Sequence, residues 1–146
     1  MWLKHSKLNE HETKLLNMNL EQYTEYMLTT YKDIFGDYHK PMSETCMCWG
    51  FDINKGWYHV LDTLASKLKV IYDMTGILCR FDQVKEKFVG ARFYYHTEFP
   101  PKPAIDNKTL NVWDDIISDL VSMYEEYCDY IDDKTGCNRK PDRKDK

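Results

Sequence analysis

Between residues 56 and 95 the hydrophobic period of the chain changes, and that change restricts the fold more than any other feature of the sequence. Trp57, Val60, Leu61, Leu64, Leu68 and Ile71 recur at helical spacing and form one apolar stripe. The stripe predicts a helix from about Lys55 to about Met74, with Gly76 placed to cap it. Two runs rich in β-formers follow, Ile77–Phe81 and Ala91–His96. Between them Asp82–Val89 reads equally as a helical turn or a strand end, because Val84 and Phe88 sit four apart. Gly90 predicts a tight turn or a bulge ahead of the second strand. In that strand Ala91, Phe93 and Tyr95 point to one side, suited to a core. Arg92, Tyr94 and His96 point to the other, suited to a wet face. The expected fold class is α+β, with three main helices and a small antiparallel sheet.

The flanking segments complete that outline. Residues 1–18 read as an irregular or weakly helical lead-in. Asn19 with Gln22 three residues on marks a helix start, and Tyr23, Tyr26, Met27, Ile34 and Phe35 extend the pattern to residue 35, where Gly36 ends it. Residues 36–55 read as a loop or short extended piece holding Pro41, Gly50 and the run Cys46-Met47-Cys48-Trp49. Pro100, Pro101 and Pro103 break the second strand. A last helix is expected after Asn107 or Lys108 and is closed by Gly136. Its wide apolar face, from Trp113 to Ile131, is broad enough to serve a subunit interface as well as a core. A chain of 146 residues suits one globular domain over 1–137, followed by a basic disordered tail over 138–146.

Charge narrows the function classes. The net charge is −4, but Arg80, Lys85, Lys87 and Arg92 outnumber Asp82 and Glu86 within residues 77–96. A globally acidic chain is poorly suited to general DNA or RNA binding, whose affinity comes from many phosphate contacts. A locally basic site for a small anion remains compatible. No run is long enough to span a membrane, and Met1–Lys7 lacks the apolar segment of a secretory signal. The expectation is a cytoplasmic protein whose five cysteines are reduced thiols, an odd number that does not suit a closed disulfide framework.

Familiar chemistry is not spelled out. The spacings of Cys46, Cys48, Cys128 and Cys137 do not fit the usual zinc pairs, and Cys79 and Cys128 lie on apolar faces. No metal or cofactor is assigned on this reading. No nucleotide-loop, dinucleotide-binding, hydrolase-elbow or H-E-x-x-H motif is present. His59 reads as a surface residue at a helix start. The carboxylate pairs Asp114-Asp115, Glu125-Glu126 and Asp132-Asp133 read as the solvated side of the last helix, so no catalytic residue is assigned. The remaining signal is the interleaving of charge and rings over Gln83–Tyr95. Lys and Arg can meet phosphate as charge-assisted donors, and ring faces can stack on bases. Phe88 and Phe93 are expected in the core. Lys85, Lys87, Arg92 and Tyr94 read equally as a ligand face or as ordinary exposed residues.

Gly56-Trp57-Tyr58, followed by Gln83-Val84-Lys85-Glu86-Lys87-Phe88 and Arg92-Phe93-Tyr94, resembles a widespread set of small phage and prophage proteins. Their pattern reads as a G-W helix start, then K-E-K-F-G-x-L-R-F-Y and a further helix, over about residues 46–137 here. This chain departs from it at Val89, at Ala91 and in its C-terminal cysteines. Small phage proteins of this size include sponges that sequester the cyclic nucleotide signals of bacterial defence without cleaving them. The resemblance implies such a sponge for a cyclic dinucleotide, acting in the infected host cell. Lys85, Lys87 and Arg92 would neutralise phosphodiesters, and Trp57, Tyr58 and Tyr94 would stack on bases. A ligand with two-fold-like symmetry would sit between subunits of a homo-oligomer. Two other classes are a phage protein that blocks a host protein and a nucleotide-cleaving phosphodiesterase. A complex without nucleotide binding distinguishes the first, and ligand turnover the second.

Overall fold

The computed structural model describes residues 7–139. Of the basic tail expected over 138–146, residues 140–146 lie outside the described residues, as do the first six residues of the lead-in. Asn138 and Arg139 are not disordered but pair with the chain just after the last helix, Asn138 bridging Ile131 and the Arg139 N–H donating to the Tyr130 carbonyl. Four α-helices and three strands follow in the order α1 (Glu10–Leu16), α2 (Leu20–Thr30), β1 (Phe51–Asp52), α3 (Tyr58–Thr75), β2 (Leu78–Lys87), β3 (Gly90–Glu98) and α4 (Asn107–Asp129). The α+β class expected from sequence is what the chain adopts. Short 3-10 turns at Gly36–His39, Met47–Trp49 and Lys55–Trp57 occupy the long connection from α2 to α3.

Local chemistry sets the helix ends. Asn9 with Glu12, and Asn19 with Gln22, each form a complete capping box, so two spare backbone donors are satisfied at each start. The lead-in therefore contains a real helix, α1, where an irregular segment is expected from its polar composition. α2 stops at Thr30 rather than at residue 35. Ile34 and Phe35 are still buried, but from the turn that follows the helix. α3 ends as expected on Gly76, whose left-handed backbone (φ 78°) lets its N–H reach the Tyr72 carbonyl. Asp106 caps α4 through the Thr109 N–H. α4 ends at Asp129, and Gly136 instead occupies a turn after the helix, with φ of 75°.

The sheet order is β1-β2-β3. β2 and β3 are antiparallel, as expected, and the two-residue β1 adds a parallel edge that its length hides in the sequence. Residues 82–87 are strand, not helical turn. The connection is a two-residue turn at Phe88-Val89, with Gly90 opposite Lys87 as the first residue of β3. The bulge lies at Asp82, between Phe81 and Gln83, and not at Gly90.

The core lies between the inner side of this sheet and the helices. Trp57, Val60, Leu61, Leu64, Leu68 and Ile71 are all buried, as their stripe requires. Each such side chain contributes roughly 1.5–3 kcal/mol relative to exposure. Phe35 stacks on Phe81 at 5.1 Å and meets Phe51 nearly edge-on at 5.0 Å. Leu110, Ile117, Val121, Tyr124 and Cys128 of α4 join this core, with Trp113, Ile116, Leu120 and Tyr127 packed against it. The broad apolar face of α4 is thus largely consumed inside the chain, which removes most of the surface the sequence offered for a subunit interface.

Candidate functional site

Strand register decides which of the predicted residues meet. Lys85 pairs directly with Arg92 across β2 and β3, and Asp52 of β1 pairs with Lys85 on its other side. The adjoining row places Gln83 opposite Tyr94, a residue 41% exposed. These rows make one outer face, with Phe51, Val84 and Phe93 forming the corresponding buried row beneath. Like charges set directly opposite each other oppose strand pairing. Asp52 on the Lys85 side and Glu125 of α4 on the Arg92 side offset that cost.

Beside Tyr94 the face deepens into a cleft of about 420 Å³, whose other walls include Ser43, Thr45, Cys46 and Gln83. Arg92 is half-buried and folds back, its Nη1 donating to the Ala91 carbonyl at 2.9 Å. Lys87 stands at the far end of the hairpin, its ammonium 5.5 Å from the centre of the Phe88 ring. Phe88 is 79% exposed, against the expectation that it joins the core. The reason is local. With Lys87 opposite Gly90, Phe88 and Val89 are the turn itself, with φ of 52° and 57°, and a turn tip points to solvent. Phe93 is in the core as expected.

Trp57 and Tyr58 do not belong to this face. Trp57 is buried, and its indole Nε1 donates to the Ile131 carbonyl at 2.9 Å. Tyr58 is stacked on Tyr23 with ring centres 3.7 Å apart, and its own backbone carbonyl accepts the Tyr23 hydroxyl. Neither ring has a face left for a base. With Gly56, these residues clasp the segment after α4: Gly56 N–H donates to the Asp133 carbonyl, and a Cβ on Gly56 would collide with the Asp132 and Asp133 backbone. His59, expected at the surface, is buried in the same clasp and donates from Nε2 to the Gly136 carbonyl at 2.9 Å.

Several carboxylates assigned to a solvated helix face have structural work instead. Glu125 accepts the Phe93 N–H at 2.7 Å and Asp114 accepts the Thr97 hydroxyl at 2.7 Å, so α4 covers the outer edge of β3. Partial burial raises the Glu125 pKa, against the opposing pull of that hydrogen bond and of Arg92. Asp62, buried on α3, collects the hydroxyls of Tyr26 and Tyr31 at 2.7 and 2.8 Å and lies 3.0 Å from His11 Nε2. This network ties α1 and α2 to α3. Burial, then the bond to Asp62, pushes the Tyr26 hydroxyl up to about 12 and the Tyr31 hydroxyl still higher. No motif announces the network, since its members are scattered over 51 positions of the chain.

All five cysteines are free thiols, with Cys79 and Cys128 buried as expected. Among the described residues no helix is long and apolar enough to cross a membrane. No family model, curated protein or solved structure matches the chain. Lys85, Arg92 and Tyr94 thus stand on adjoining rows of one outer face, with the Arg92 guanidinium folded back along β3.

Proposed function

We propose that the chain is a binding protein that sequesters a cyclic dinucleotide defence signal without cleaving it, a phage-encoded sponge acting in the cytoplasm of an infected bacterium. The observation that carries this reading is the direct pairing of Lys85 with Arg92 beside the half-exposed Tyr94. A phosphodiester over the two cations lowers their mutual repulsion, and the adjoining base has a ring to stack on. Trp57 and Tyr58 have no part in it, so stacking falls to Tyr94. A cyclic dinucleotide carries two phosphodiesters, whereas the described residues of one chain offer one such cationic pair. A symmetric homo-oligomer placing two of these faces about one ligand follows from that count.

The test is direct. Purified protein is mixed with a panel of cyclic di- and trinucleotides, and binding is followed by calorimetry; the complex is then heat-denatured and the released nucleotide identified. The reading requires near-stoichiometric binding and release of intact ligand. Arg92→Ala and Lys85→Ala should each weaken binding at least tenfold while thermal stability stays within the range of a surface change. Hydrolysed product would make the protein a phosphodiesterase and overturn the reading. So would the absence of binding across the panel, which would turn attention to the second reading, a phage protein that blocks a host protein. What favours that alternative is the exposure of Phe88 at the hairpin tip and of Trp49, 67% exposed over an open groove lined by Leu20, Leu28 and Tyr38.

A further inference from the structure

Toward the other end of the hairpin three side chains from three separate elements converge. Asp37 comes from the 3-10 turn Gly36–His39, Asp82 from the bulge in β2, and His96 from β3. One oxygen or nitrogen from each lies within 4.8 Å of the other two. The bulge is what brings Asp82 in. The register shift leaves it without a cross-strand partner, and its Oδ1 lies 2.7 Å from His96 Nδ1.

Asp37 supplies an independent sign that the cluster is built for something. It is only 3% exposed, and its Oδ1 has no hydrogen-bond partner. The Lys40 ammonium lies 3.0 Å from that oxygen and Arg80 Nη1 3.5 Å, so its charge is compensated, but neither group is aligned to donate to it. A buried carboxylate oxygen without a hydrogen bond is costly. Lys40 is half-exposed and can swing away, whereas Arg80 is held by Glu98 through Nε at 3.0 Å and Nη2 at 3.3 Å.

We propose that Asp37, Asp82 and His96 form a site for a first-row divalent metal ion, with Glu98 orienting the histidine. His96 has a carboxylate on each side: Nδ1 faces Asp82, and Nε2 lies 3.2 Å from Glu98 Oε2. An ion entering between Nδ1, Asp82 and Asp37 leaves the Nε2–H on Glu98, the outer carboxylate that metal-bound imidazoles use. One imidazole with two carboxylates is a donor set for zinc, cobalt or manganese rather than for calcium. Donors at about 2.0–2.2 Å from a tetrahedral ion sit about 3.4 Å apart, so the trio must draw together by at most about 1.4 Å. The exposed side chains of Asp82 and His96 allow that movement.

The test uses Co2+ as the probe on the full chain under reducing conditions, because a cobalt–thiolate bond would betray itself by near-ultraviolet charge transfer. The inference requires one Co2+ per chain, visible d–d bands without the sulfur signature, and a rise in Tm on loading. His96→Ala and Asp82→Asn should each weaken binding at least tenfold with folding intact by circular dichroism, while Cys46→Ser together with Cys48→Ser leaves binding unchanged. Failure of Co2+ to bind at millimolar concentration would overturn it. So would retention of binding in both His96→Ala and Asp82→Asn, or a thiolate spectrum lost with the cysteines. None of these outcomes depends on nucleotide binding.

Discussion

Trp57→Phe separates a structural tryptophan from a ligand-stacking one. The indole N–H is spent on the Ile131 carbonyl at 2.9 Å, deep in the clasp that holds the segment after α4. Phenylalanine keeps a ring but no donor, so a buried carbonyl is left unsatisfied at a cost of about 1–3 kcal/mol. The smaller ring also leaves roughly 40 Å³ of unfilled space, worth about 1 kcal/mol at the usual cavity coefficient. The expected total is about 3 kcal/mol. For a chain of this size each kcal/mol lowers Tm by roughly 2–4 °C, so the transition should fall by about 6–12 °C. Urea unfolding followed by circular dichroism reads the free energy, and calorimetry on the folded variant reads ligand affinity. The reasoning requires a large stability loss with nucleotide affinity preserved at temperatures where the variant is folded. A loss below about 1 kcal/mol, accompanied by weakened nucleotide binding, would refute it and return Trp57 to the ligand site.

Three further outcomes are expected. Asp62→Ala strands the Tyr26 hydroxyl, leaves the Tyr31 hydroxyl only the backbone carbonyl of residue 62 at 3.2 Å, and frees His11, and should cost about 1–3 kcal/mol in urea unfolding. Replacing Phe88-Val89 by Asn-Gly relieves two positive-φ positions held by large side chains, at roughly 1–2 kcal/mol each, so the double variant should gain about 2 kcal/mol in the same assay. Glu125→Gln should be more stable than the parent near pH 7, because the Glu125 carboxyl is raised by burial while the amide oxygen can still accept the Phe93 N–H. The sign follows from linkage: a carboxyl with a raised folded pKa contributes most below its unfolded value, about 4.3, and that contribution is lost as pH rises through the folded value. The advantage of glutamine should therefore shrink as pH falls to 4.

Legibility tracks how local the determining interaction is. The α3 stripe, its Gly76 cap, the Asn19 capping box and the alternation in β3 rest on neighbours within a turn or a strand, and each could be read directly. Asn9 and Glu12 were equally readable as a capping box, but the polar composition around them concealed it. The site depended on register. Lys85 opposite Arg92 follows only once the turn is placed at Phe88-Val89; Gly90 announces a tight turn ahead of β3 but not which two residues form it. Trp57, Tyr58 and His59 were misplaced for a different reason. Their partners, Ile131, Tyr23 and Gly136, lie 74, 35 and 77 positions away, and no local pattern encodes those contacts. The convergence of Asp37, Asp82 and His96 was hidden by the same distance and by the bulge.

The hairpin is where this chain departs from rules it otherwise keeps. The starts of α1, α2 and α4 are capped and the long apolar stripe of α3 is buried, yet β2 and β3 set two cations opposite each other and turn on two bulky residues with positive φ. Both features oppose folding of the free chain, and such costs gather at working surfaces more often than in scaffolds. If they served packing alone, removing them would improve stability and cost nothing else. The two features also lie apart along the hairpin: Lys85 and Arg92 with Tyr94 on its face, Phe88 and Val89 at its tip. Arg92→Ala and the Asn-Gly turn therefore test the face and the tip separately. Loss of nucleotide binding with the first and its retention with the second would locate the sponge site on the face and leave the tip free for a protein partner.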